Sequence, residues 1–459
     1  MINKPPTKLF VDLKENGEVT FSLEELSFLA PGKLRIFSEI FGRLVSVTRD
    51  LSGQNLSFKA GSKVGMINAM GVRVQVRPKV SIGEFSTLIR YAMNGQITSE
   101  GMRSYMDLSW DMGFESVLCG LLCEEMRTIV RNGISRRYKE HLDSLEVIRG
   151  RVLWEKNFPW LGGKSKEIFC RYHQLTYNNI DNQIVLSGLK KAFFLVGLPE
   201  VKRQVGEFLS IFNSFVLEKP IMLGDFQKAQ KGYDRLNEHY RVAHALTKML
   251  LYNLRPEEFF KEGQEEVFGV VLDMAEIFER FVERFISDLL MPRGFSLIVQ
   301  HKDSGALIDD NGYRYAGVRP DIEVWLGNRA IGIIDAKYKD YWAAAEDGVS
   351  PDRKISNEDL YQLFFYQQRM QRKYGLPSLP LALIAAPLPA EDEREKKLVV
   401  HDRFRTIRFH AGIESEGDVR LVLIPITHFL RLLNGGIGPR EAALLLEQDL
   451  DSRPINWSG

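Results

Sequence analysis

Short apolar runs broken by polar residues dominate the first part of the chain. Leu9-Phe10-Val11, Lys33-Leu34-Arg35-Ile36-Phe37, Leu44-Val45-Ser46-Val47 and Val72-Arg73-Val74-Gln75-Val76-Arg77-Pro78 predict strands, the last with a clear period of two. Gly61, Gly65 and Gly71 punctuate them as turns. A strand of that pattern has one face on a core and one in water, so residues 1–95 predict a small β-rich domain with a surface free for a partner. From Phe85 the spacing becomes helical, through Leu88, Tyr91 and Ala92, then Val117, Leu118, Leu121, Leu122 and Met126, then Ile184, Leu186, Leu189, Ala192, Phe193 and Val196. A mainly helical middle region is expected over residues 96–262. After Glu262 helix and strand patterns alternate, as in an α/β domain over 263–459. The fold class is therefore multidomain α+β.

Within that last region the elements are sharper. Asp273 to Leu290 carries Met274, Ile277, Phe278, Phe281, Val282, Phe285, Ile286 and Leu289 on one helical face. Ser296 to Gln300 predicts a strand. Val318 to Trp325 and Ala330 to Lys339 predict two more, joined through Gly327-Asn328 as a hairpin. Ser356 to Tyr374 reads as a helix with a Ser-x-x-Asp start at Ser356 and Asp359 and Gly375 just past its end.

Composition narrows the function classes. The chain has 459 residues, 61 Lys+Arg against 60 Asp+Glu, and 44% apolar residues. At roughly 100–200 residues per domain this predicts two to four globular domains. A net charge of +1 excludes gripping DNA by bulk charge, so any nucleic-acid contact must come from local patches. One such patch spans residues 126–170, with ten Lys+Arg against five acids and Tyr138, Trp154 and Trp160 among them. It reads equally as a solvated face or as a surface for DNA backbone or an acidic partner. Cys119, Cys123 and Cys170 cannot build a disulfide framework and read as reduced core thiols. The start Met1-Ile2-Asn3-Lys4-Pro5-Pro6 lacks the apolar core of a signal peptide, and no run reaches the roughly 18 apolar residues of a membrane span. A cytoplasmic protein without membrane contact is expected. Gly163-Lys164-Ser165 resembles the end of a phosphate-binding loop, but Phe158 stands where its first glycine belongs, and no nucleotide site is expected there.

Candidate chemistry lies on the hairpin. Side chains alternate across a strand, so Asp335 and Lys337 share a face. With a three-residue loop of Gly327, Asn328 and Arg329, Leu326 faces Ala330, and Asp321 then faces Asp335. Directly opposed Cβ atoms lie about 4.5–5.5 Å apart. Two carboxylates and an ammonium would converge. Like charges that close call for a cation, and two carboxylates with room for water suit Mg²⁺. A lysine beside the metal can position water or stabilise a phosphorane-like transition state, which suits phosphodiester hydrolysis. The ordinary alternative is a surface hairpin with an Asp335–Lys337 ion pair. Glu279, in line with Glu276 and Glu283, is a candidate third acid or part of a solvated helix face. Gln362 is placed to position water or phosphate, and Arg369, Arg372 and Lys373 to hold a strand backbone or simply to favour the helix end.

In order, Ile277-Phe278-Glu279, Arg319-Pro320-Asp321, Ile334-Asp335-Ala336-Lys337-Tyr338-Lys339 and Asp359-Leu360-Tyr361-Gln362 resemble the PD-(D/E)xK (restriction endonuclease-like) nucleases. More closely the chain is similar to the McrC family, the nuclease subunit of McrBC modification-dependent (5-methylcytosine) restriction systems. Val64-Gly65-Met66-Ile67, Val74 to Val80, Ile148-Arg149-Gly150-Arg151 and Asp181-Asn182-Gln183 extend that likeness over about residues 60–370. The resemblance implies a DNA endonuclease that docks through its N-terminal half on a hexameric McrB-like AAA+ GTPase, stimulates it, and cleaves double-stranded modified DNA. It further implies Mg²⁺ held by Asp321, Asp335 and the carbonyl of Ala336 with Glu279 in attendance, Lys337 as the catalytic lysine, and Glu279 and Gln362 in support. Tyr341 to Ile355 and a tail after about Pro425 look like additions to the family pattern. Two other readings stay open: a non-enzymatic activator and DNA clamp of an AAA+ motor, and a free-standing recombination or repair nuclease.

Overall fold

The computed structural model describes residues 9–22, 24–25, 34–51, 53–93, 110, 113–157, 162, 166–252, 268–300, 303–308, 314–341, 355–388, 399–401, 407–408, 416–417 and 419–448. They divide into two compact units, one built from Met1–Ser109 with Val271–Gly459 and the other from Trp110–Val270. The expected domain limits near residues 95 and 262, Met1 to Pro6, Gly163-Lys164-Ser165 and most of the Tyr341 to Ile355 addition lie outside the described residues.

The first unit opens with β1 (Leu9–Lys14), β2 (Glu18–Ser22), α1 (Leu34–Phe41), β3 (Val45–Arg49), β4 (Asn55–Ala60), β5 (Lys63–Ala69), β6 (Val72–Arg77) and α2 (Ile82–Ala92). One sheet has the order β2-β4-β3. Of the strand expected at Lys33 to Phe37, Leu34 to Phe37 instead form the start of α1, and Lys33 lies outside the described residues. Phe37, Ile40, Phe41 and Leu44 are buried at spacings of three and four, a helical period that a five-residue window cannot reveal. Gly71 turns the chain at φ 77, whereas Gly65, expected as a turn, lies inside β5. β6 is more buried than the half-wet strand expected, with only Arg73 and Arg77 of its polar face partly exposed. It pairs with β1 on one side and β5 on the other, and even Gln75 is only 1% exposed. Ser81 caps α2 reciprocally with Glu84.

The second unit contains α3 (Phe114–Asn132), β7 (Arg137–Leu145), β8 (Arg151–Val152), β9 (Ile168–Thr176), α4 (Ile180–Leu195), α5 (Pro199–Asn213), α6 (Leu223–Lys231) and α7 (Arg241–Tyr252). Its helices follow the apolar stripes, and Cys119 and Cys123 are buried free thiols on α3, Cys123 pushed up to about 12 by burial. The β7-β9-β8 sheet was not predicted. Most of β7 is exposed, so it carries no apolar period to read. The basic stretch lies largely here, where Arg149 stacks on Tyr172, Lys156 on Phe169, and Arg137 pairs with Asp234 at 2.9 Å.

The chain continues with β10 (Phe268–Asp273), α8 (Met274–Leu290), β11 (Phe295–Val299), β12 (Asp303–Ile308), β13 (Arg314–Val318), β14 (Ile322–Leu326), β15 (Arg329–Ala336), α9 (Asn357–Tyr374), β16 (Leu381–Pro387), β17 (Val399–His401), β18 (Ile407–Arg408), β19 (Glu416–Gly417), β20 (Val419–Ile424), α10 (Ile426–Asn434) and α11 (Pro439–Gln448). β10 extends the N-terminal sheet, whose order is β1-β6-β5-β10. Six strands form the central sheet, β11-β14-β15-β16-β20-β17, with β15, β16 and β20 parallel. Parallel neighbours need a crossover, and α9 supplies it between β15 and β16. Both faces of these strands are covered, as buried Ile333 and Ile334 on β15 attest. Ile333, Leu363, Met370, Ala382 and Ile384 form the core beneath α9. The C-terminal addition is structural: Phe429 on α10 is fully buried against the rings of Tyr91, Phe281 and Phe285, tying α2 to α8.

Candidate active site

The β14–β15 hairpin sets the site. Its loop is two residues, not three: Leu326 pairs with Arg329 and Trp325 with Ala330, with Gly327 at φ 59. A bulge at Ile331 then adds one residue to β15, so Val324 pairs with Gly332 and Ile322 with Ile334. One step further, Asp321 stands opposite Asp335. The shorter loop and the bulge cancel, and the expected juxtaposition results by a different route.

Asp321 follows Pro320 at the start of β14, and its Oδ2 accepts from the Ala336 amide at 2.7 Å. Asp335 is only 2% exposed, at the end of an apolar run on the strand face that meets α9. The Lys337 ammonium lies 2.8 Å from Asp335 Oδ2 and 3.7 Å from Asp359 Oδ1, and it donates to Gln362 Oε1 at 2.9 Å. The Lys337 ammonium is the charge partner of that buried oxygen, which accepts no further hydrogen bond. Gln362 Nε2 donates to the Tyr366 hydroxyl at 2.7 Å, which reaches the Arg319 carbonyl at 3.4 Å. Asp359 accepts from Lys339 at 2.6 Å, Tyr341 at 2.9 Å and Ser356 at 2.8 Å.

Electrostatics make this a costly arrangement. Burial, then repulsion from Asp335, raises the Asp321 carboxyl to about 7. Burial also raises Asp335, with Lys337 pulling the other way. Burial opposes the charge on Lys337, but Asp335, Asp359 and Asp321 outweigh it and hold its pKa above the ordinary lysine value. Asp359 moves down, because its donors, Lys339 first, overcome its desolvation.

The fold brings Asp321, Asp335, Lys337 and Gln362 together and sets Glu279 to one side. Glu279, on α8, accepts from Gln300 Nε2 at 2.5 Å and acts on Asp321 as a repelling charge. Gln300 in turn accepts from Arg319, donates its amide to the Asp321 carbonyl at 2.8 Å, and sits at φ 50, a strained value for such a residue. Sequence reasoning missed Gln300 and Tyr366. Tyr366 was findable, since Gln362 and Tyr366 are four apart on one helical face; nothing marked Gln300.

Among the described residues no three His, Cys, Asp or Glu side chains gather as a metal cage. The acid pair nevertheless fits a hard dication: it is all oxygen, mutually repelling, and contains an oxygen with the Lys337 ammonium as its one close partner. Mg²⁺ characteristically takes one or two carboxylates and completes its shell with water and phosphate oxygens. The described residues contain no helix long and apolar enough to cross a membrane.

A family model described as "McrBC 5-methylcytosine restriction system component" matches residues 58–379. The chain is similar in structure to one from a refined half-complex of a tetradecameric assembly of Thermococcus gammatolerans McrB AAA+ hexamers with bound McrC, at 18% identity and TM-score 0.54, over 93% of this chain and 100% of that one. A chain in the cryo-EM structure of the Thermococcus gammatolerans McrBC complex aligns at 19% identity and TM-score 0.43, over 60% of this chain and 87% of that one. No curated protein matches.

Proposed function

Because the chain belongs to the McrBC 5-methylcytosine restriction system component family, we propose that it is the nuclease subunit of a modification-dependent restriction complex, a cytoplasmic Mg²⁺-dependent DNA endonuclease of the PD-(D/E)xK kind. The observation that carries this reading is Lys337, held between Asp335 and Gln362 with Asp321 opposite. A structurally similar chain comes from an assembly of McrB AAA+ hexamers with bound McrC, and by extension this chain docks on an AAA+ GTPase ring that selects modified DNA.

Asp321, Asp335 and the carbonyl of Ala336 would hold the cation, with Glu279 adding negative potential from one side. When bound, Mg²⁺ supplies Lewis acidity to a phosphate oxygen and neutralises the acid pair. Lys337 stabilises the charge that builds as a water oxygen bonds to phosphorus and the bridging P–O bond breaks. Gln362 fixes where that ammonium points, and Tyr366 fixes Gln362. Lys339 is bound to Asp359, which leaves Lys337 as the ammonium nearest both acids.

The test is cleavage of modified and unmodified plasmid by the chain, with and without its AAA+ partner, GTP and Mg²⁺. Cleavage is expected only of modified DNA with all components present. Cutting by the isolated chain with Mg²⁺ alone would favour a free-standing nuclease, and metal-independent DNA binding without nicking in the full complex would favour a clamp.

A further inference from the structure

Tyr338 stands between Lys337 and Lys339. The backbone there is pinned, with the Lys337 amide donating to the Ala385 carbonyl and the Lys339 amide to the Lys337 carbonyl, both at 2.8 Å. The two lysines turn toward Asp359, and Tyr338 turns the other way. Its hydroxyl donates to Glu15 Oε1 at 3.0 Å, across 323 positions of sequence, and its ring lies 5.5 Å from that of Phe278 on α8. Glu15 follows β1 and is only 4% exposed. Its other oxygen accepts from the Lys79 amide at 2.9 Å, and its own amide donates to the Arg77 carbonyl at 3.0 Å. Glu15 thus joins the ends of β1 and β6 to the strand end that carries Lys337.

A buried carboxylate costs free energy that a packed apolar residue would not. Packing alone gives no reason for an acid at this position. The aromatic side chain it holds is next in the chain to an ammonium that must meet Asp335, Asp359 and Gln362 within 2.8–3.7 Å. A cavity lies beside this contact, lined by Asn16, Lys79, Met274, Phe278, Tyr338 and Leu388 among others.

We propose that Glu15 and Tyr338 are positioning residues through which the N-terminal sheet sets the place of the Lys337 ammonium. The proposal rests on the reading of Lys337 as the nuclease's lysine. Its consequence is a route by which a partner that docks on the N-terminal sheet changes cleavage without touching the acids. A displacement of about 1 Å at a reacting group can cost two orders of magnitude in rate.

The test uses the full chain with its AAA+ partner, GTP, Mg²⁺ and modified DNA. Tyr338→Phe and Glu15→Ala should each slow cleavage at saturating DNA about tenfold, with unchanged half-saturating DNA concentration and unchanged stimulation of the partner's GTPase. The double variant should be no slower than either single, as for one shared contact. Glu15→Gln, which keeps one acceptor oxygen and covers the case in which Glu15→Ala does not fold, should recover part of the loss. A second readout needs no cleavage: the ¹³C NMR signal of reductively methylated Lys337, assigned by its disappearance in Lys337→Arg, should shift in Tyr338→Phe and Glu15→Gln. Additive losses, wild-type cleavage in Tyr338→Phe, or an unmoved Lys337 signal would overturn the proposal. A shifted signal in a complex that never cleaves would instead sink the nuclease reading and leave the positioning contact standing.

Discussion

Two buried polar clusters in this molecule have opposite characters. In the second unit, Asp181 and Asn182 are almost wholly buried, yet their side chains are well supplied with hydrogen-bond partners. Asp181 Oδ2 accepts from Ser135 Oγ at 2.9 Å and Asn237 at 3.0 Å; Asn182 donates to the Ser135 and Tyr177 carbonyls at 2.9 and 2.7 Å and accepts from Tyr240 at 2.7 Å. These bonds clamp one end of the β7–β9 ribbon, since Ser135 precedes β7, Tyr177 follows β9, and Arg137 pairs with Thr176 there. In the first unit, Asp321 and Asp335 face one another, both raised, and Asp335 Oδ2 has the Lys337 ammonium as its one close partner. A satisfied network fixes a backbone. An unsatisfied one is tolerated where something else is meant to bind.

Substitution should separate the two clusters most visibly. Asp335→Asn should reduce DNA cleavage about a thousandfold, yet leave the melting stability of the metal-free chain within about 1 kcal/mol of wild type or above it, because a repelling charge is removed. Asn182→Ala should do the reverse. Stranding two carbonyls and a tyrosine hydroxyl should cost about 2–4 kcal/mol in urea unfolding, with cleavage per folded molecule retained. Equal stability losses in the two variants would erase the distinction.

Acidity sharpens it further, because the clusters titrate in opposite senses. Asp321 is raised to about 7, so between about pH 4 and 7 the folded metal-free chain binds more protons than the unfolded chain, and stability falls as pH rises. Asp321→Asn should flatten that slope. His244 is lowered, chiefly by burial, so below the ordinary histidine value, about 6.5, the unfolded chain binds the extra proton and stability falls as pH falls. Its Nδ1 meets the Tyr233 hydroxyl at 2.7 Å and its Nε2 the Asp181 carbonyl at 3.0 Å. Unit-resolved hydrogen exchange should show the second unit loosening first on acidification and the first unit on alkalinisation. The smallest effect concerns the cation: Mg²⁺ binding should tighten as pH rises through about 7 and release protons in calorimetry, and pH-independent binding would count against the acid pair.

Legibility in the sequence followed the same divide. The α8 stripe was readable because seventeen residues sample several turns, and α9 because Ser356 and Gly375 mark its ends. The β7–β9 ribbon was not, since an exposed strand need not alternate. The acid pair emerged although the loop was misjudged by one residue, because the bulge at Ile331 absorbed the error. Gln300 and the Glu15–Tyr338 bond were beyond reach, for both depend on segments distant in sequence meeting in space.

The role of Lys337 is decided by single-turnover cleavage of modified plasmid by the assembled complex carrying Lys337→Ala, with partner GTPase rate measured in the same tube. Cleavage should fall about a hundred- to a thousandfold with GTPase stimulation retained. A cleavage rate within threefold of wild type would contradict it.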